Sequence, residues 1–175
     1  MPEKATIERA KEDLREGKAP STAAGEFVRE EVEHVRHGKH GVRSPQQAIA
    51  IGLSKARRAG IPLPAPKPGR TSESTRRKAE RDYERGTGRR AAPKKSARRS
   101  QAREEALQRE PRSTASHAAM SKQAKKAAKK RGPASRKAAA KKAVRTKGKA
   151  ELRSAAKKAA RTRQRSGSKR GSRKR

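Results

Sequence analysis

The sequence predicts a mostly α-helical protein, in which a small three-helix N-terminal module precedes a largely disordered basic tail with helical tendency. Two observations support this prediction. Of the seventeen Val, Ile, Leu, Met and Phe residues in the 175-residue chain, thirteen lie in the first 69 positions. Residues 112–175, by contrast, carry 25 basic side chains and a single acidic one. Because so charged a segment has too little apolar surface to offset its chain entropy by burial, one globule of 175 residues is excluded.

Three helices are predicted within the module, residues 1–60. They run from about Ala5 to Glu16, from about Ala23 to His37 and from Pro45 to Ala59. A glycine follows each of them as a stop signal. In each helix, apolar residues recur at every third or fourth position, the spacing that places side chains on one helix face. These positions are Ile7, Ala10 and Leu14, then Ala24, Phe27, Val28, Val32 and Val35, then Ile49, Gly52, Leu53 and Ala56.

The start of the third helix is the most sharply marked. Ser44 suits the N-cap, Pro45 the first helical position, and Gln47 the reciprocal position of a capping box. The outer face of this helix also suggests a contact surface, because a glutamine near the start of a recognition helix can pair with adenine. Base readout or a partner contact, including a homodimer through residues 21–60, is the alternative to simple capping. The residues of this outer face are Gln47, Ile51, Ser54 and Arg58.

Two segments connect the module to the tail. Residues 61–70 form a proline-rich linker, with proline at positions 62, 64, 66 and 68, and such a segment is extended and semi-rigid. Residues 71–111 form a charged, partly helical connector. Its helical stretches are predicted from about Thr75 to Arg85 and from Ala97 to Glu110, where opposite charges recur at helical spacing.

The tail, residues 112–175, contains a repeat of 16 residues. The segment Ala124-Lys-Lys-Ala-Ala-Lys-Lys-Arg131 aligns with Ala140-Lys-Lys-Ala-Val-Arg-Thr-Lys147 and with Ala156-Lys-Lys-Ala-Ala-Arg-Thr-Arg163. Lysine and alanine favour helices, but dense like charge opposes a helix in isolation. The tail is therefore predicted to be disordered when free and to form three helical segments when a polyanion neutralises its charge.

The cations of the tail are predicted to bind nucleic acid, because Lys and Arg displace counterions from phosphate without reading sequence. Duplex DNA is the favoured partner and structured RNA the alternative. Single-strand binding relies on aromatic stacking, and Phe27 and Tyr83, the two aromatic residues, lie outside the tail. A membrane surface is disfavoured because the repeats offer alanine rather than bulky apolar residues. The predicted DNA-binding residues are Lys125, Lys126, Lys129, Lys130, Arg131, Lys141, Lys142, Arg145, Lys147, Lys157, Lys158, Arg161 and Arg163.

Catalysis, a cofactor and a metal are not expected, since no phosphate-binding glycine loop, nucleophile motif or ligand set is recognisable. His34, His37 and His40 are spaced by three, but Gly38 interrupts the helix before the third, so solvent-facing histidines are the favoured interpretation. One face of the second helix is acidic and is expected either to be solvated or to dock the tail. Its residues are Glu26, Glu30 and Glu33.

Four stretches of the chain carry a resemblance to a known family. They are Gly25-Glu-Phe-Val-Arg-Glu-Glu31, His34-Val-Arg-His-Gly-Lys-His-Gly41, Ser44-Pro-Gln-Gln-Ala-Ile-Ala-Ile-Gly-Leu-Ser-Lys-Ala-Arg-Arg-Ala-Gly60 and Ser113-Thr-Ala-Ser-His-Ala-Ala-Met-Ser-Lys-Gln-Ala-Lys125. Together they resemble small basic bacterial proteins labelled uncharacterised, DNA-binding or plasmid stabilisation protein. The resemblance implies a cytoplasmic protein of the bacterial nucleoid and assigns no site residues. In composition, the tail resembles the Lys/Ala-rich tails of linker histones.

We therefore expect a non-enzymatic DNA-binding protein of the nucleoid-associated or plasmid-stabilisation type. An RNA- or ribosome-associated protein, or an antitoxin-like interaction module acting through residues 21–60, is the alternative.

Overall fold

The computed structural model describes residues 2–92, 94 and 96–171, and the regular elements of this part of the chain are all helical. The described residues up to 123 form one compact unit, and those from 124 onward form a second. None of the described helices is long and apolar enough to cross a membrane. The elements are α1 Lys4–Arg15, α2 Pro20–Arg36, α3 Pro45–Arg58, α4 Glu73–Gly86, α5 Ala97–Gln108, a 3₁₀ turn Arg112–Ala115, α6 His117–Lys130 and α7 Gly132–Gly171.

The prediction of a three-helix module followed by a disordered tail is wrong. The N-terminal unit includes the connector and the first residues of the tail, and the described tail residues are helical in the free chain. In these segments, helix propensity outweighs the repulsion between like charges, which was expected to prevent helix formation. Alanine, lysine and arginine are among the best helix formers, and the basic side chains of these helices extend into solvent, where water screens their repulsion.

The three N-terminal helices themselves are confirmed, with bounds within three residues of those expected. Helices α2 and α3 approach each other closely where Gly52 meets Val28, since a Cβ on Gly52 would lie 2.6 Å from the Val28 Cα atom. Glycine at this position therefore sets the distance between the two helices.

Two small clusters of buried side chains form the core of the N-terminal unit. The first lies between α1, α2 and α3 and is built around Phe27. The second lies beyond it along α2 and is built around Val35 and Val42. The buried members are Ala10, Ala23, Ala24, Phe27, Ala56 and Ile61 in the first cluster, and Val32, Val35, Val42, Ala48 and Ala115 in the second.

The segment that returns to this core from residues 107–123 was not expected. Ala115 is fully buried in the second cluster, and Met120 packs against it. Polar contacts hold the return in place: Arg36 Nε donates to the Ala115 carbonyl at 2.8 Å, and Thr114 Oγ1 donates to the Val42 carbonyl at 2.7 Å. The core therefore depends on residues that the sequence assigned to the tail.

The linker and the connector also contact the core. Ile61 is buried, so the proline-rich segment begins as part of the first cluster rather than as a free spacer. Helix α4 lies on α3, buries Ala79 and joins the two helices through a hydrogen bond from Ser54 Oγ to Asp82 Oδ2 at 2.5 Å. Arg76 and Glu80 of α4 form the expected ion pair at helical spacing, 3.5 Å apart.

Helix α7 consists of two helices joined at Gly148. This residue has φ 74° and ψ 160°, a backbone conformation that is essentially restricted to glycine. Gly132, at the start of α7, also has a positive φ, of 76°. The basic region is thus divided by glycines 16 residues apart, one before each of the later two repeats.

Candidate functional site

The thirteen basic residues predicted to bind DNA are all exposed. They lie on α6, on α7 and at the junction between them. Residues 124–164 carry seventeen basic side chains and one acidic residue, Glu151, which pairs with Lys147 at 3.6 Å. Among the side chains that the structure describes in this stretch, none is buried. The C-terminal unit is therefore an exposed, strongly cationic surface.

Each repeat presents most of its cations on one helix face. Helical residues follow one another at about 100°, so Lys125, Lys126, Lys129 and Lys130 fall within an arc of about 140°. The spacing of the first three recurs in the later repeats at Lys141, Lys142 and Arg145 and at Lys157, Lys158 and Arg161, whereas threonine stands at positions 146 and 162, where the first repeat has Lys130. The alanines of each repeat, such as Ala127 and Ala128, lie on the opposite side. Every repeat is thus a short helix with one cationic and one alanine face.

The glycine joints matter because of the length of the repeat. Sixteen residues of unbroken helix correspond to four turns and about 160° more, so successive cationic faces would point in nearly opposite directions. At Gly148 the helix is interrupted, which frees the third repeat from the helical phase of the second. The interruption allows their two cationic faces to meet one extended polyanion.

The four α3 residues predicted to contact a base or a partner all have roles within the N-terminal unit. Gln47 completes the helix cap: its backbone N–H donates to Ser44 Oγ at 3.3 Å, and its Oε1 accepts from the Arg43 N–H at 2.9 Å. Ile51, expected to be exposed, is partly buried against the second core cluster. A homodimer through residues 21–60 stays a prediction.

The remaining two α3 residues face α4. Ser54 donates to Asp82, as described above, and Arg58 is exposed, with Nε 3.9 Å from Asp82 Oδ1. Nearby, Arg57 is buried and donates from Nε to the Leu63 carbonyl at 3.2 Å. Burial lowers the pKa of the Arg57 guanidinium below its ordinary value. Helix α4 thus covers much of the α3 face that was predicted to contact a base or a partner.

The predicted acidic face of α2 is only partly solvated, because Glu30 is buried while the Glu33 side chain is 46% exposed. Glu30 is buried, and its carboxylate accepts hydrogen bonds from the Glu3 backbone N–H at 3.1 Å and from Lys55 Nζ at 3.3 Å. Glu26 pairs with Arg9 at 2.8 Å, and Glu33 with Arg29 at 3.2 Å. These carboxylates are engaged within the N-terminal unit.

A second cluster of chemically active groups involves two of the predicted histidines. The chain reverses after α2, so His40 returns to His34, and their ring centroids lie 6.5 Å apart. Glu31, one turn before His34 on α2, completes a set whose ligand atoms all lie within 4.8 Å of one another. The expectation of solvent-facing histidines holds at His37 but not at these two, whose side chains are 14% and 19% exposed.

Sequence reasoning missed Glu31, although its separation of three residues from His34 is a visible signal for a shared helix face. Charged side chains of Glu3 and Lys39 lie next to this cluster of Glu31, His34 and His40. Glu3 Oε1 lies 3.0 Å from His34 Nε2 and 3.1 Å from Lys39 Nζ, and these two contacts lower the pKa of the Glu3 carboxyl.

Residues 5–68 match a protein family described as "Family of unknown function (DUF6496)". The matched segment is less than half of the chain and spans α1, α2, α3 and the proline-rich segment. It includes the Glu31, His34 and His40 cluster, whereas the basic repeats lie outside it. Comparison with curated proteins and with solved structures found no match.

Proposed function

We propose that this protein binds duplex DNA through the cationic faces of its C-terminal helices and holds the phosphate backbone without sequence preference. The observation that carries the proposal is the exposed cationic face repeated every 16 residues between Lys125 and Arg163, with one acidic residue in the same stretch. Contacts of this kind release counterions from DNA and carry no sequence information.

The position of the aromatic residues favours a duplex over a single strand. Proteins that bind single strands stack bases on exposed aromatic rings. Phe27 is fully buried in the core, and Tyr83 is half-buried on α4. The thirteen cations therefore have no aromatic partner in the C-terminal sequence, and backbone charge is the feature that they can recognise.

The proposal is tested by fluorescence anisotropy of the full chain with two 30-base-pair duplexes of unrelated sequence, over a series of salt concentrations. The test variant replaces Lys157, Lys158, Arg161 and Arg163 with glutamine. Since each neutralised phosphate contributes about 0.9 to the slope of log K against log salt, losing four contacts lowers the slope by about 3.6.

A matched control removes the same charge from the N-terminal unit, by glutamine at the exposed residues Lys4, Lys11, Lys67 and Arg70. We expect the control to keep a near-wild-type slope and the two duplexes to bind equally. Equal effects of both variants would refute an interface on the C-terminal helices. A strong preference for one duplex would make the protein a sequence reader, and stronger competition by a structured RNA hairpin would replace DNA with RNA.

A further inference from the structure

We infer that Glu31, His34 and His40 form a binding site for one divalent transition-metal ion, with Zn²⁺ the ion that best suits the ligands. Two imidazoles and one carboxylate are a common protein ligand set for zinc, which completes a tetrahedral site with a fourth ligand such as water. The site lies in the N-terminal unit and is independent of the proposed DNA contacts.

The distances within the cluster suit such an ion. Zinc lies about 2.0–2.1 Å from nitrogen and oxygen ligands, so two ligand atoms of a tetrahedral site are about 3.3–3.4 Å apart. His40 Nε2 and Glu31 Oε1 are separated by 3.2 Å. The ligand atom of His34 lies within 4.8 Å of both of these atoms. A small movement of the His34 ring therefore brings it to the distance that a tetrahedral site requires.

The hydrogen bonding of His40 indicates that a cation lies between His40 Nε2 and Glu31 Oε1. His40 Nδ1 lies 3.0 Å from the Gly41 carbonyl, which only accepts hydrogen bonds, so Nδ1 carries the hydrogen. In the neutral ring, Nε2 then presents a lone pair to the Glu31 carboxylate, which is also an acceptor. Two acceptors at this distance repel each other unless a proton or a metal ion lies between them.

The charge balance of the buried groups requires a further positive charge at this place. Glu30 and Glu31 are 4% and 1% exposed, and Lys55 is the cation that contacts both, with Nζ 3.3 Å from Glu30 Oε1 and 2.7 Å from Glu31 Oε2. One lysine neutralises only one of two buried carboxylates, and an uncompensated buried charge is costly. A proton on His40 or a metal ion between His40 and Glu31 supplies the missing positive charge.

The carboxylate of Glu31 is also poorly satisfied by the contacts that it has. Lys55 and His40 approach it at ion-pair distances, but among the described residues neither oxygen of Glu31 receives a hydrogen bond of suitable angle. Buried polar atoms nearly always have such a partner. Glu3, beside His34 Nε2, supplies the outer carboxylate that commonly orients a metal-binding histidine.

The test is a titration of the full, metal-free chain with ZnCl₂, followed by calorimetry and by NMR of the imidazole groups. The chain has four histidines, which makes the NMR readout specific. We expect one Zn²⁺ per chain and large shifts of the His34 and His40 ring signals, with His37 and His117 unchanged. At a zinc concentration 100 times Kd, the ratio of folded to unfolded chain rises about 100-fold, and the unfolding temperature rises with it.

Variants separate this site from adventitious binding. His40→Gln should lose the stoichiometric binding, and His37→Gln, the matched control on an exposed histidine, should keep it. Absence of saturable uptake by the wild type would overturn the proposal. Equal shifts of all four histidines, or wild-type binding by a folded His40→Gln, would also overturn it. If His40→Gln does not fold, the wild-type NMR titration decides alone.

Discussion

The substitution Gly148→Ala tests whether the glycine joint controls the way in which the basic repeats meet DNA. The backbone conformation at Gly148, with φ 74° and ψ 160°, costs an alanine about 1–3 kcal/mol. A Cβ added at this position has no neighbouring atom within 4 Å, so steric contacts do not prevent relaxation. We therefore expect the alanine variant to adopt helical angles and to form one unbroken helix across the joint.

The consequence for binding follows from the helical phase. An unbroken helix turns the cationic face of the third repeat by about 160° from that of the second, so one DNA surface meets only one of them. The cationic face of the excluded repeat contributes three predicted contacts, from Lys157, Lys158 and Arg161. Their loss lowers the slope of log K against log salt by about 2.7.

The assay combines far-ultraviolet circular dichroism with anisotropy titrations over salt. Gly17→Ala is the matched control, because Gly17 has the same φ of 74° and open space around a Cβ but lies in the N-terminal unit. It should bind DNA with the wild-type slope. The phase argument is refuted if Gly148→Ala gains helix and still binds with the wild-type slope.

Three further predictions concern the N-terminal unit, and its single tyrosine, Tyr83, reports its unfolding. Gly52→Ala places a Cβ 2.6 Å from the Val28 Cα atom and should destabilise the unit by about 1–3 kcal/mol in urea titrations. Gln47→Ala removes a cap contact and should cost about 0.5–1 kcal/mol while leaving DNA affinity unchanged; a tenfold loss of affinity would instead support base readout. Contacts with Arg76 and Arg77 lower the pKa of the Glu73 carboxyl from 4.5 to about 2. The stabilisation of the fold by these contacts is therefore present above pH 4.5 and lost as the pH falls towards 2. Glu73→Gln should therefore show a smaller fall in unfolding temperature over this range, and an unchanged fall would contradict the assignment.

The parts of the fold that the sequence predicted are those specified locally. Ser44 and Pro45 mark the start of α3, and the spacing of Phe27, Val32 and Val35 marks the buried face of α2. Each of these signals lies within one helix, where the period of 3.6 residues determines which positions in the sequence share one helix face. The helices of the connector follow from the same rule.

The parts that were missed depend on contacts between distant residues. Ala115 and Met120 complete the second core cluster. Two apolar residues in a polar segment are too weak a pattern to predict that the segment packs on the core. His40 joins Glu31 only because the chain reverses after α2. The tail was predicted to be disordered because repulsion between like charges was expected to outweigh the helix propensity of lysine and alanine.

The two units balance their charges in different ways, and this difference distinguishes the roles proposed for them. Of the nine acidic residues in positions 1–69, eight form ion pairs with basic side chains or histidines from the same stretch. Residues 124–164 instead carry seventeen basic side chains and one acid, so solvent ions must supply most of their neutralisation. In the proposed complex, these side chains displace the cations condensed on DNA phosphate, and the release of those cations favours binding. The salt dependence of binding should therefore originate in the C-terminal unit, while the paired charges of the N-terminal unit stabilise its fold and enclose the Glu31, His34 and His40 cluster.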